Sequence, residues 1–157
     1  MIIREATERD CDVLCEIMDE VDRLHRKNLP GRFKRPEGPV RDREYLLSVI
    51  ADPDVRLYVA VEGERLIGVV QVLIRETRDI PILVRRRYGL VENLVVREGL
   101  RRKGIGSALM ERALEWARSR GATEFELNVF EFNRSAIAFY RKLGYTTISR
   151  YMGRALG

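Results

Sequence analysis

Scarce residues narrow the chemistry first. The 157 residues include two cysteines, one histidine and one tryptophan. Cys11 and Cys15, four apart in "DCDVLCEIM", share one face of an expected helix. They read as reduced core or boundary residues, because free cysteine packs like a small apolar group. Further ligands for a zinc site are lacking nearby, so no metal is expected. The single histidine, His25, stands among charges in "DRLHRKN", as an exposed or substrate-loop residue. Nothing at a recognisable spacing makes it the base of a Ser-His-Asp or Cys-His mechanism. No run approaches the ~20 apolar residues of a membrane span. "MIIREATERD" lacks the apolar core of a signal peptide, and a cytoplasmic protein is expected.

What is present is ordinary for one domain over residues 1–157. The chain is 45% hydrophobic and 34% charged. Chains of this size bury roughly 70% of the surface their unfolded form exposes, so a core without disulfide or metal suffices. The net charge of +5 comes from 25 Arg and 4 Lys against 24 acids spread through the chain. Without a long basic tail or low-complexity arm, neither nucleic acid nor a membrane is expected as a partner. A small anionic ligand near Arg101 is the more economical use of the charge.

"MIIREA" reads as a short strand. Apolar residues at Val13, Leu14, Ile17, Met18, Val21 and Leu24 predict a helix over 8–28, with Thr7 and Asp10 offering N-cap oxygens. "NLPGRFKRPEGP" reads as loop, and the long loop at 29–40 is of a kind that often binds. "VRDREYLLSVIADPD" predicts a shorter helix, striped by Tyr45, Leu46, Val49 and Ile50. "RLYVAVE" and "RLIGVVQVLIRE" flank a turn at Gly63-Glu64 as a hairpin. "RDIPILVR" is a loop and "RRYGLVENLVV" a strand. "GSALMERALEWARSRG" is a helix whose core face carries Leu109, Ala113, Leu114 and Trp116 or Ala117, ended by Gly121. "TEFELNVFEF" is a strand, "NRSAIAFYRKLG" a short helix opened by Asn133, and "YTTISRYM" a last strand. The order is β-α-α-β-β-β-α-β-α-β, without repeat or domain boundary. An exposed edge strand near the C-terminus leaves room for a homodimer.

"REGLRRKGIGSALM" joins a strand to a helix. The first amides of a helix are unpaired and carry a partial positive charge, which suits phosphate. Glycines let a ligand approach the backbone closely. The stretch by itself also fits a solvated turn, and it misses both the Rossmann and the Walker patterns. Its wider form, "LVVREGLRRKGIGSALM", resembles the cofactor motif of the GCN5-related N-acetyltransferases, the GNAT superfamily. That motif, Arg/Gln-x-x-Gly-x-Gly/Ala, is matched by Arg101, Gly104 and Gly106. "NRSAIAFYRKLGY" is similar to the second signature of that family, an Asn followed by a helix ending in Phe-Tyr-x-x-x-Gly-Phe/Tyr. The resemblance is strong over 88–145 and weaker before 55.

The resemblance implies an α+β fold, an α/β/α sandwich with a mixed, mostly antiparallel central sheet of about six strands and four helices. It implies acetyl-CoA as cosubstrate and direct transfer of acetyl to a primary amine of a small molecule or peptide. Amides and charges of Arg101, Arg102, Lys103, Gly104, Ile105, Gly106 and Ser107 would hold the pyrophosphate. The backbone of Leu94, Val95 and Val96 would pair with the pantetheine arm, in a slot opened by splaying from "TEFELNVFEF". Asn133 would cap its helix and bond the pantetheine. Tyr140 would contact the cofactor and protonate the leaving thiolate. Glu92, a carboxylate in an otherwise apolar strand, is the candidate base, with water as its rival; regular alternation sets it on the face of Leu94 and Val96. Ribosomal-protein N-terminal acetyltransferases of this superfamily carry a catalytic Glu where this chain has Asn128, with Glu126 and Glu131 beside it. The acceptor is expected where the segment 25–39 and the loop 78–85 meet the slot. Arg32, Lys34, Arg35, Arg78 and Arg85 there favour an acceptor bearing a carboxylate or phosphate. The alternative is a GNAT-like domain that binds acyl-CoA without catalysis, as a sensor or partner protein.

Overall fold

The two longest strand-forming runs, residues 65–76 and 87–96, make the centre of the sheet. A computed structural model of the protein describes residues 1–38 and 41–157. Strand β1 (Ile2–Glu5) leads through a 3-10 turn into helix α1 (Cys11–Asn28), followed by α2 (Arg43–Ala51). Strands β2 (Val55–Glu62), β3 (Arg65–Glu76) and β4 (Arg87–Val96) come next, then α3 (Ile105–Ser119), β5 (Glu124–Leu127) and α4 (Arg134–Lys142). The sheet runs β1-β2-β3-β4-β5 in space. All pairs are antiparallel except β4 with β5, which is parallel.

The central strands are buried on both faces, which is why they read as almost unbroken apolar runs. On one face Leu14, Ile17 and Met18 of α1, with Leu46 and Val49 of α2, pack on Val59, Val69, Leu73 and Val95. On the other, Leu109, Met110, Ala113 and Trp116 of α3 pack on Tyr58, Val70, Val72 and Val91. Each such side chain contributes about 1.5–3 kcal/mol on burial, so these two layers dominate the fold's stability. Cys11 lies in the first core and Cys15 at its boundary, both as free thiols. The turn before α1 is held by Asp10, which accepts from the Thr7 amide at 2.7 Å and from Arg4 twice at 2.8 Å, while its side chain caps no amide of α1 itself, contrary to the N-cap expected there. The Arg4 contact is the main reason the Asp10 carboxyl is held at about 2.

Helix and hairpin expectations hold to within a few residues. The expected loop at 29–40 and the first residue of the second helix, Val40, fall partly outside the described residues. Two strand expectations change. "TEFELNVFEF" is a strand only over Glu124–Leu127, because its neighbour stops pairing there. The last strand expected over 145–152 bonds to no other strand among the described residues, so the sheet has five strands where about six were expected. Strand propensity alone does not make a strand; an edge with the right position must meet it.

Candidate active site

Strand β4 changes character halfway along. Its first part bonds to β5 from Tyr88↔Glu124 to Val91↔Leu127. Beyond Val91 that pairing ends, while pairing to β3 continues to Val96↔Gly68. Leu94, Val95 and Val96 therefore have β3 on one side and, among the described residues, no strand on the other. A slot opens between β4 and the chain after β5. The closed end is tied: Arg86 donates to Glu124 at 2.6 Å and to Glu126 at 2.7 Å. There Gly89 lets the Phe125 ring pack close against β4, since a Cβ at 89 would stand 2.5 Å from that ring.

The two halves meet at a β-bulge. Gln71 pairs with Asn93 and Val72 with Val91, so Glu92 is the extra residue. Bulges bend a strand and raise its twist, which suits a strand that must leave its neighbour. The bulge corrects the face expected for Glu92. Leu94 and Val96 pack on the α3 side, whereas Leu90 and Val95 belong to the α1–α2 side. Glu92 and Asn93 both bond to Gln71, whose neighbours Val69 and Leu73 line that same α1–α2 core. The Gln71 amide donates to Glu92 Oε2 at 2.8 Å, and Asn93 donates to Gln71 Oε1 at 2.9 Å. Gln71 is only 2% exposed, so this polar bridge is built into the core and fixes the carboxylate at its rim. Sequence reasoning missed Gln71. Its signal was a lone amide in the apolar run "VVQVLI", opposite the polar pair "EN" in β4.

At the open end of β4 the chain turns through residues 97–104 into α3. Arg102 and Gly104 adopt left-handed backbone, φ 64° and 81°. Gly104 is the N-cap, and nothing lies within 4 Å of where its Cβ would be. Its glycine serves the dihedral, and the space outside it is open. The first helical bond runs from the Ala108 amide to Gly104 O at 3.0 Å. The amides of Ile105, Gly106 and Ser107 thus have no intrahelical acceptor. Arg101, Arg102 and Lys103 are exposed around them, with Arg101 Nε donating to Val96 O at 3.2 Å. Gly106 plays a different part. A Cβ there would sit 3.2 Å from Phe139 of α4, so its small size lets α4 approach α3.

Tyr140 follows Phe139 on α4 and packs in the same core cluster as Ile105 of α3. Its ring lies 5.2 Å from that of Phe139 and 5.9 Å from that of Tyr145. Burial pushes its phenol up to about 12, and its hydroxyl makes no hydrogen bond among the described residues. Asn133 caps α4: its Oδ1 accepts from the Ala136 amide at 3.2 Å, which leaves its Nδ2 for other partners. Leu94, Val96, Ile105, Phe139 and Tyr140 share the core on the α3 side of the sheet, with Asn133 at the start of α4, whereas Glu92 bonds to Gln71 on the α1–α2 side.

On Glu92's side of the sheet, three separate segments assemble an aromatic wall. His25 stacks on Phe33 with centroids 5.2 Å apart, and meets Phe130 and Phe132 edge-on at 5.3 and 5.9 Å. Burial lowers the His25 pKa and favours neutral imidazole. The sequence placed His25 among charges; it lies half-buried among rings that no local pattern brings together. Glu126 is held by Arg86, and Glu131 faces Arg150 at 3.5 Å. The loop 78–85 does not meet the slot as expected. It joins β3 to β4 at the Glu76↔Arg87 end, where β4 is still paired with β5. A cavity of about 730 Å³ beside α1 is lined by the charged side chains of Asp19, Asp22, Arg26, Arg35 and Arg41 among others, and by no residue of β4, the glycine loop or α4. No cluster of three metal-binding side chains occurs among the described residues. No helix of the described chain is long and apolar enough to cross a membrane.

An open mixed sheet that parts beside a glycine-opened helix is an α+β architecture. The profile described as Acetyltransferase (GNAT) family matches residues 18–145, and the chain belongs to that family. A point mutant of the BH1408 protein from Bacillus halodurans has a similar structure, with TM-score 0.94 and 26% identity, over 99% of each chain. That alignment therefore takes in the C-terminal tail. An aminoglycoside N(6')-acetyltransferase from Klebsiella aerogenes is 31% identical over 108 residues, 68% of this chain and 69% of that protein. Streptothricin acetyltransferase A from Bacillus subtilis is 38% identical over 55 residues, 35% of this chain and 32% of that protein. The chain spans about a third or less of the length of several curated relatives it matches.

Proposed function

We propose that this chain is an acyltransferase that moves an acetyl group from acetyl-CoA directly to a primary amine of a small molecule or peptide. One observation carries the reading: among the described residues, a strand edge at 94–96 that meets no further strand lies beside helix amides at 105–107 that have no intrahelical acceptor, with Val96 against Gly106. The first suits the amides of a pantetheine arm, which adds to β4 as a strand would. The second, with Arg101, Arg102 and Lys103 around it, suits a pyrophosphate. Asn133 Nδ2 is the further donor to the arm.

Acetyl transfer needs a polarised thioester, a neutral amine and a proton for the departing thiolate. A backbone amide of Leu94–Val96 polarises the carbonyl. Glu92, held by Gln71 on the α1–α2 side, takes the amine's proton, directly or through water. Tyr140 gives its proton to sulfur. A phenol held near 12 stays protonated across the neutral range, and its weak acidity ties proton transfer to charge developing on sulfur. The reading needs no metal and includes a cytoplasmic, homodimeric protein.

The acceptor enters from Glu92's face, past His25, Phe33, Phe130 and Phe132. A neutral aromatic wall beside Arg32 favours an amine on a flat or apolar body that also carries an anionic group. A second reading is an aminoglycoside, on the strength of the Klebsiella relative. Release of free thiol from acetyl-CoA with a panel of amino acids, peptides, polyamines and aminoglycosides tests both. Tight CoA binding with no release from any amine favours the non-catalytic alternative. No CoA binding at all removes the whole reading.

A further inference from the structure

The open half of β4 has an anchor of its own at Arg97, between the strand edge at 94–96 and the turn that leads to α3. Its main chain and side chain grip neighbouring carbonyls of β3. The Arg97 amide donates to Ile67 O at 3.0 Å, which carries the pairing with β3 one residue past Val96↔Gly68. Arg97 Nε donates to Leu66 O at 2.9 Å. The Arg97 carbonyl accepts from the Leu100 amide at 2.9 Å. That bond closes the 3-10 turn Glu98–Leu100, where the glycine loop begins.

The guanidinium faces α1. Its Nη1 stands 3.7 Å from Glu20 and its Nη2 3.8 Å from Glu16. The side chains of Arg97 and Glu20 are only 22% and 18% exposed. Glu20 Oε2 is buried without a hydrogen-bond partner among the described residues. A carboxylate kept from water in this way depends on a nearby cation to stay charged, and Arg97 is a cation at hand. A planar guanidinium can send Nε to a carbonyl while its terminal nitrogens face carboxylates, whereas the single ammonium of a lysine serves one or the other. Strand β3, helix α1 and the 3-10 turn are thereby fastened through one residue. Its side chain lies on the side of the sheet that Val95 faces, away from the α3 side where Val96 meets Gly106.

We infer that Arg97 is a positioning residue for the cofactor. By fixing the end of β4 against β3 and α1, it sets the spacing between the edge at 94–96 and the amides at 105–107. One ligand then meets both elements without reorganisation. The inference rests on the reading of those two elements as the acetyl-CoA site, and adds the residue that holds them in register.

Titration calorimetry of the full chain with coenzyme A, beside thermal melts, tests it. Arg97→Ala is expected to weaken CoA binding about tenfold or more and to lower Tm by about 5 °C. Arg97→Lys restores a charge beside Glu20 without the Nε bond. It is expected to recover most of the Tm and to stay about fivefold weaker for CoA. In the parent protein without ligand, the amides of Arg97 and Leu100 are expected to exchange hydrogen about 100-fold more slowly than unstructured amides, or slower still. Parent-like affinity in Arg97→Ala overturns the inference. So does an affinity in Arg97→Lys that recovers in step with its Tm, the mark of a purely structural role. Exchange of those two amides at unstructured rates also overturns it, whether or not the variants fold. A parent that binds no CoA removes the acetyl-CoA reading and this inference with it, whereas equal binding by parent and variants overturns this inference alone.

Discussion

The two halves of β4 have similar composition and opposite work. Residues 88–91 are zipped to β5, packed close to Phe125 at Gly89 and tied off by Arg86. Residues 94–96 keep one neighbouring strand among the described residues. The difference comes from the bulge at Glu92, which costs one ladder position and turns the strand away. Closure at one end is what holds the other open: β4 and β5 can diverge at 92 because they are locked at 88–91. A site built this way is rigid without being filled, the condition for orienting a ligand without reorganisation.

The largest expected effect lies in the closed half. Gly89→Val would drive its side chain into Phe125 and Ala117, where even a Cβ meets atoms at 2.5–2.8 Å. Overpacking of that kind costs about 3 kcal/mol, or roughly 10 °C in Tm for a chain of this size. A thermal melt within 2 °C of the parent would show that the closed half is not the anchor. Gly106→Trp, an obvious way to block the glycine loop, mixes the two halves' roles, because it also collides with Phe139.

Tyr140→Phe tests the open half. It removes one oxygen and keeps the ring against Phe139, so kcat should fall about 100-fold with KM for acetyl-CoA nearly unchanged. Parent-like turnover would take the phenol out of the chemistry. The same variant has a stability signature. Burial pushes the Tyr140 and Tyr145 phenols up to about 12 in the folded chain, against about 10 unfolded. The unfolded state thus loses its protons first. Stability is full below pH 10 and declines between 10 and 12, by about 2 kcal/mol for Tyr140. Denaturant melts at pH 9 and 11.5 should show that decline, and Tyr140→Phe should reduce it.

Much of this was legible from residue order. Helical spacing marks α1 and α3, the glycine loop declares its dihedral needs through Gly104, and Asn133 announces a cap that the structure contains. What escaped was non-local. The wall of His25, Phe33, Phe130 and Phe132 joins three segments that share no pattern. The bulge hides because "VENLVV" reads equally well as regular alternation, and only the partner's register reveals two successive side chains on one face. "YTTISRYM" has a strand's composition, but pairing depends on which edge it meets. The loop 78–85 was misplaced because a hairpin's sequence does not say which end of the sheet holds the opening.

The smallest effects sharpen the comparison most, because they probe the joint between the halves. Glu92→Gln keeps the shape and the bond to Gln71 and removes only the basic oxygen. If Glu92 is the base, kcat/KM should drop about tenfold or more, with KM for acetyl-CoA nearly unchanged. Gln71→Leu leaves the carboxylate and removes its anchor. Asn93 then loses an acceptor, a cost of about 1 kcal/mol in stability. The rate should fall only severalfold, while Gln71→Glu, which sets a second carboxylate beside Glu92 in place of the donor, should lower it further. A Gln71→Leu rate equal to the parent's, beside a depressed Glu92→Gln, would mean that the carboxylate acts without being held. The bulge would then serve only to part the strands.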